Sequence, residues 1–241
     1  MSGSLTTLPD TDLSIEDFVE WDVENWSRAL NFWLQELPSS GKEFFNGKRV
    51  LEVGARNGGL TLWFASQGAY VVSTDLKGPT DTARRRHRDA GLGHRIEYRE
   101  LDATVISERD AYDVVVFKSV LGSIGHDGSL ERQLSALEQM YQALKPGGYL
   151  LFAENLRASP LHQLARRVFV KWSHRWRYPT INELEAGIEK FSSVRTFCFG
   201  FLAAFGRTED TRTRLGRLDR LIVDRLVPPS WRYIMATVAR K

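Results

Sequence analysis

The chain has 241 residues, 42% of them hydrophobic and 26% charged, with a formal net charge of +3 and a single cysteine, Cys198. A chain of that length buries a core without disulfides or metals, and its longest apolar runs fall short of the roughly 18 residues that a membrane-spanning helix needs. The composition therefore argues against a disulfide scaffold and an integral membrane protein, and the polar start MSGSLTTLPDTD reads as a flexible tail over 1–13 rather than a secretory signal, so the expected location is cytoplasmic.

Charge is unevenly spread: residues 1–155 hold 16 Lys/Arg against 23 Asp/Glu, and residues 156–241 hold 17 against 7. Such polarity fits an anionic ligand, a membrane surface, nucleic acid or a solvated basic face.

In chain order, Ile15, Val19, Val23, Trp26, Leu30, Trp33 and Leu37 recur at helical spacing behind Ser14 and Asp17, which predicts one amphipathic helix over 15–37. A strand over 49–54 runs into a helix over 58–67, a strand over 70–76, a basic helix over 79–90 and strands over 95–101 and 112–117. A helix with Leu130, Leu134, Leu137, Tyr141 and Leu144 on one face is stopped by Lys145-Pro146-Gly147-Gly148, and a fifth strand, YLLFAEN, follows. Strands alternating with helices in this way imply a parallel sheet with helices on both faces and binding at the strands' carboxyl ends. Beyond strand five come a basic, aromatic insertion over 156–178, a helix opened by the Thr180/Glu183 capping box and a strand over 194–202. An arginine-rich helical insertion over 207–226 and a last strand, WRYIMATVAR, complete the order. The expected organisation is one domain over 14–241: a helical cap (14–47), a cofactor-binding core (48–155) and a C-terminal part with lid insertions (156–241).

The informative segment is Val50-Leu51-Glu52-Val53-Gly54-Ala55-Arg56-Asn57-Gly58-Gly59, a strand entering a glycine-rich turn that opens a helix. A dinucleotide fingerprint needs glycine at the third position from Gly54, where Arg56 stands and would crowd a pyrophosphate. Glu52 would repel a diphosphate and attract an ammonium group. Asp75, ending strand two, can hold both ribose hydroxyls, and Asp102, ending strand three, can accept from an exocyclic adenine amine.

These residues resemble the class I S-adenosylmethionine-dependent methyltransferase family, whose first motif is an acidic residue, any residue, then Gly-x-Gly-x-Gly. Here it reads Glu52-Val53-Gly54-Ala55-Arg56-Asn57-Gly58, with Arg56 in place of the middle glycine. The resemblance extends over about 48–155 and includes Asp75, Asp102-Ala103 and Leu144–Leu150. It implies an α/β, Rossmann-like seven-stranded sheet, mostly parallel with the last strand antiparallel, with S-adenosyl-L-methionine as cofactor. The implied cofactor contacts are Glu52, Gly54, Ala55, Asn57, Gly58, Asp75, Leu76, Asp102, Ala103 and Lys118, the last mainly through its backbone.

Methyl transfer from a sulfonium is an in-line displacement that asks mostly for alignment and exclusion of water, with a base only for some acceptors. His126, oriented by Asp127 in the loop after strand four, is the candidate base. His162 and His174 stand in reserve, and His87 and His94 are expected on the surface. Glu154 and Asn155 are candidate acceptor contacts. The scattered histidines suggest no metal site.

Arginines interleaved with Phe169, Trp172, Trp176 and Tyr178 suggest a basic, aromatic lid, suited to a phosphorylated or nucleotide-linked acceptor, or to peripheral contact with an anionic membrane and a lipid-linked one. The segment after strand four lacks the Asn/Asp-Pro-Pro-aromatic element of base-amine methyltransferases, which argues against nucleic acid. The favoured expectation is O-methylation of a small-molecule or saccharide hydroxyl in secondary-metabolite or surface-glycan biosynthesis. The alternatives are N- or C-methylation of a small or lipid-linked substrate, and a noncatalytic binding protein on the same scaffold.

Overall fold

The computed structural model describes residues 13–39, 41–170 and 175–241. The expected tail, apart from Leu13, and the lid residues Lys171, Trp172 and His174 lie outside the described residues; Leu13 packs against the core.

Seven strands form one sheet in the order β3-β2-β1-β4-β5-β7-β6. They are β1 (Arg49–Val53), β2 (Tyr70–Asp75), β3 (Ile96–Glu100), β4 (Tyr112–Lys118), β5 (Leu144–Asn155), β6 (Ser193–Phe199) and β7 (Ile234–Arg240). β1 to β5 pair in parallel, and β7 runs antiparallel to both β5 and β6. The parallel pairing of β1 to β5 is what the alternating pattern implies, and the Rossmann-like seven-stranded sheet with its antiparallel last strand is what the family resemblance implies. The crossover of chain order between β1 and β4 opens a crevice at the carboxyl ends of the central strands, where ligands bind in such sheets.

Helices cover both faces. On one face α2 (Val23–Glu36), α3 (Gly41–Phe45) and α4 (Gly59–Ser66) bury Trp26, Trp33, Phe45, Trp63 and Phe64 in one core. On the other, α7 (Leu130–Ala143) and α9 (Ile181–Gly187) pack Leu137, Met140 and Leu184 against Phe117 and Phe152, whose rings stack 4.9 Å apart. α7 stops at Ala143 and the Lys145-Pro146-Gly147-Gly148 segment joins the start of β5, with Gly147 at φ +74°.

The single helix expected over 15–37 is two. α1 (Ile15–Phe18) is opened by the Ser14/Asp17 capping box, the chain extends at Val19, and α2 restarts after Asp22, whose backbone is left-handed at φ 50°. Hydrophobic spacing runs through the break because both pieces pack on the same core. The break is held from afar: Glu209 accepts the N–H groups of Asp22 and Val23 at 2.8 and 2.7 Å, satisfying the first donors of α2.

The insertion after β5 is helical only over α8 (Pro160–Phe169) among the described residues. The one after β6 comprises α10 (Glu209–Leu218), a π-helical turn over Asp219–Val223 and a short α11 (Asp224–Leu226).

Candidate active site

β1 delivers Glu52 to a cavity of about 950 Å³ at the sheet's carboxyl edge. Its carboxylate is buried, and among the described residues its one side-chain hydrogen-bond partner is the Thr61 hydroxyl of α4, which in turn bonds Ser73 Oγ at 2.7 Å. Burial pushes the Glu52 carboxyl up to about 7, partly opposed by the Thr61 hydrogen bond and the nearby Lys118. A buried acid of this kind gains its charge when a cation settles beside it, as an amino-acid ammonium would.

The loop after β1 passes Gly54 and Gly58 at φ +77° and +74°. A Cβ on Gly58 would stand 2.4 Å from His87 Nε2, so glycine is needed there both for its backbone and for its lack of a side chain. Arg56 also adopts a left-handed backbone, φ 45°, with its side chain exposed rather than sealing the crevice. That conformation aims the Arg56 N–H at Asp75 Oδ2 (3.0 Å), while the Leu76 N–H donates to Oδ1 (2.8 Å). Each oxygen keeps a lone pair for a ribose hydroxyl. Ala55, Asn57, Leu76, Asp102 and Ala103 line the same cavity; Leu76 offers an exposed apolar surface, and Asp102 Oδ1 is engaged by the Thr104 N–H at 2.9 Å. A buried acid, a positive-φ loop and a strand-end aspartate thus fit the amino-acid and ribose ends of S-adenosylmethionine.

Lys118 presents more than its backbone. Its ammonium lies 4.6 Å from the Trp26 ring centroid and 5.8 Å from that of Trp21, and burial lowers its pKa to about 8 against the pull of Glu20, Asp22 and Glu52. His126 lines the cavity with Nε2 2.9 Å from Asp127 Oδ2. Asn155 lines it too, its amide donating to Ser119 Oγ at 2.5 Å.

Three histidine and carboxylate expectations need correction. Glu154 is not in the cavity wall: fully buried, it accepts the N–H groups of Val120 and Leu121 at 2.8 Å each and fastens the start of α6 (Leu121–Ile124). His87 is not on the surface. It is buried under the glycine loop, donating from Nε2 to the Gly58 carbonyl (2.8 Å) and accepting at Nδ1 from Tyr98 Oη (2.9 Å), and burial lowers its pKa. His162 is buried and committed, with Nε2 on the Phe201 carbonyl (2.9 Å), Nδ1 on Ser159 Oγ (2.7 Å) and its pKa lowered to about 4. His94 is exposed, as expected.

Sequence reasoning missed the far wall. Asp22 and Tyr233 face the cavity and hydrogen-bond each other, and Asn25 donates to Tyr233 Oη at 2.8 Å. Burial raises the Asp22 carboxyl to about 7 and Tyr233 well above its usual value. Arg166 stacks 3.7 Å from the Tyr178 centroid and donates to the Leu156 carbonyl at 2.8 Å, placing both residues in the wall. No local pattern marks Asp22, Asn25 and Tyr233 as partners, whereas Arg166 and Tyr178 belong to the basic, aromatic segment that the sequence suggests as a lid.

A Rossmann-like sheet with this crevice defines a nucleoside-binding α/β protein. Residues 23–197 match the profile of a family described as a methyltransferase domain, and the chain belongs to that family, in its class I, S-adenosylmethionine-dependent form. It is 31% identical over 144 residues to a ubiquinone biosynthesis O-methyltransferase of Bordetella avium, covering 55% of this chain and 54% of that one. It is 36% identical over 118 residues to aclacinomycin 10-hydroxylase RdmB of Streptomyces purpurascens, covering 48% and 30%. Against tuberculostearic acid methyltransferase UfaA1 of Mycobacterium tuberculosis it is 33% identical over 140 residues, covering 55% and 30%. The matches thus span about half or less of these relatives' own lengths.

Among solved structures, the methyltransferase SibL in its apo form superposes with a TM-score of 0.59 at 21% identity, covering 90% of this chain and 55% of that one. The Haemonchus contortus phosphoethanolamine N-methyltransferase 2 complex with S-adenosylhomocysteine gives 0.58 at 16%, covering 89% and 52%. At such identities the likeness is one of fold.

Proposed function

We propose that this protein transfers a methyl group from S-adenosylmethionine to the hydroxyl of a small-molecule or saccharide acceptor, in secondary-metabolite or surface-glycan biosynthesis. The observation that carries the cofactor half is Glu52, a buried carboxylate on the cavity wall with no salt bridge among the described residues. A cavity of about 950 Å³ also leaves room for an acceptor beside a nucleoside.

When bound, the cofactor supplies an activated methyl group on sulfonium. The chain's part is to bind, align and remove a proton. Glu52 and Asp75 fix the two ends of the nucleoside amino acid, and Trp21, Trp176 and Tyr178 exclude water from the other wall. An alcohol's pKa lies far above 7, so attack gains from proton removal. His126 is the proposed base: Asp127 engages Nε2, which leaves Nδ1 to take the proton. The O-methyltransferase name of the Bordetella avium relative supports a hydroxyl acceptor.

Asp22 is the second candidate, because it is a cavity-wall carboxylate whose pKa burial brings to about 7. His126→Ala is expected to lower kcat by about 100-fold with cofactor affinity unchanged, read by S-adenosylhomocysteine formation and calorimetry. Unaltered turnover removes His126 and leaves Asp22, tested by Asp22→Asn. If neither S-adenosylmethionine nor S-adenosylhomocysteine binds at micromolar level, the enzyme reading fails.

A further inference from the structure

Two helical segments of the C-terminal half hold apolar side chains in water. On α8, Leu161, Leu164, Val168 and Phe169 are between 54% and 68% exposed, the first three on one face at i, i+3 and i+7. The opposite face is fastened inward by buried His162 and by Arg166. Beyond β6, Leu221, Ile222 and Leu226 are each more than half exposed, and Trp231 is exposed at 46%.

The two segments adjoin. The Asp219 carboxylate accepts the N–H groups of Phe201, Leu202 and Ala203, while the His162 ring of α8 packs against Phe201 and Phe205. Trp231 stacks on Phe201, and the Arg207 guanidinium lies 5.6 Å from the Phe169 centroid. The apolar residues therefore flank one seam, rimmed by exposed Arg157, Arg167, Arg207 and Arg225, none of which forms a salt bridge among the described residues.

Of the acids in the insertion after β6, Asp210 is exposed and paired with Arg214, and the other three point the other way. Glu209 holds the N–H groups of Asp22 and Val23, Asp219 those of Phe201 to Ala203, and Asp224 pairs with Arg28 at 2.6 Å. What remains outside is a face of scattered aliphatic and aromatic side chains between arginines, the chemistry of a helix lying in a lipid headgroup layer. Among the described residues no helix is long and apolar enough to cross a membrane, so contact would be with the surface alone.

We infer that α8 and the 218–231 segment form a docking face for an anionic lipid bilayer. Apolar side chains enter the acyl boundary while the arginines meet lipid phosphates. Arg166, Val170, Trp176 and Tyr178, from α8 and the chain just after it, also line the cavity, so docking brings its mouth to the membrane surface. The inference is independent of the reaction catalysed.

The test is co-sedimentation of the full chain with vesicles of phosphatidylcholine alone and of phosphatidylcholine with phosphatidylglycerol. Binding is expected only with phosphatidylglycerol and is expected to weaken as salt rises, since the Debye length shrinks to about 3 Å at about 1 M. The pair Leu164→Asp with Ile222→Asp, and separately Arg167→Glu with Arg225→Glu, are each expected to lower the partition coefficient at least ~10-fold. Far-ultraviolet circular dichroism and the melting temperature report that these surface variants fold. The inference is overturned if folded variants sediment like the parent, if phosphatidylglycerol gives no preference, or if lipid-free ultracentrifugation shows a dimer that the apolar variants dissociate.

Discussion

The two walls of the cavity are built differently. On the cofactor side the polar contacts are short in sequence: Thr61 reaches Glu52 across 9 residues and the Arg56 N–H reaches Asp75 across 19. On the side proposed for the acceptor they are long: Asp22 is bound by Glu209 across 187 residues and by Tyr233 across 211. The first wall is a property of one β-α-β unit, whereas the second exists only when both ends of the chain have come together. On the proposed assignment, cofactor binding and acceptor binding are therefore expected to be separable by mutation.

The largest separation is expected from Glu52→Gln. Losing a charge-assisted contact to a ligand ammonium costs about 1.5–3 kcal/mol, or about 10- to 150-fold in affinity for S-adenosylhomocysteine by calorimetry. The pH dependence sharpens the point. Because the Glu52 pKa in the folded protein stands at about 7, the charged form that favours the ligand grows as pH rises through about 7. Affinity is expected to climb from about pH 6 to 7.5, below the range where the ligand's own amine deprotonates, and to lose that climb in the Gln variant.

Stability without ligand moves the opposite way. Asp22, Glu52 and Glu154 all have folded pKa values raised to about 7, so the folded state holds more protons than the unfolded one between their ordinary values near 4 and about 7. Their contribution is fully present below that window and is lost as pH rises through it. The melting temperature of the ligand-free protein measures this.

Next in size is Tyr233→Phe, which removes the buried hydroxyl that donates to Asp22 and accepts from Asn25, leaving between those two only their own longer hydrogen bond of 3.3 Å. It is expected to cost about 1–3 kcal/mol by chemical denaturation while leaving cofactor affinity intact, the reverse of the Glu52 variant. The smallest effect is expected at Thr180, whose hydroxyl caps α9 by accepting from Glu183 N at 3.3 Å. Thr180→Ala should lower stability by about 1 kcal/mol with neither binding event disturbed.

The same contrast explains what could be read from the sequence. Gly54, Gly58, Glu52 and Asp75 fall at fixed spacings within one β-α-β unit, so their places followed from local pattern, and the parallel pairing of the first five strands from alternation. The break at Val19–Asp22 did not, because its causes, Glu209 and Tyr233, are distant in sequence. Glu154 misled because a strand-end carboxylate can face the crevice or the next helix, and the choice rests on the Val120 and Leu121 N–H groups across the β4–β5 pair. His87 carried a signal that went unused: it lies four residues after Ala83, on the one buried face of an otherwise basic helix, α5 (Asp81–Asp89).

α4 has one further consequence. Every residue from Gly59 to Ala65 is buried, and a Cβ on Gly59 would stand 2.6 Å from the Phe18 carbonyl oxygen. The helix that anchors the glycine turn is thus wedged on all sides before any ligand arrives. The cradle is pre-organised, so little of the cofactor's interaction energy is diverted into ordering the loop.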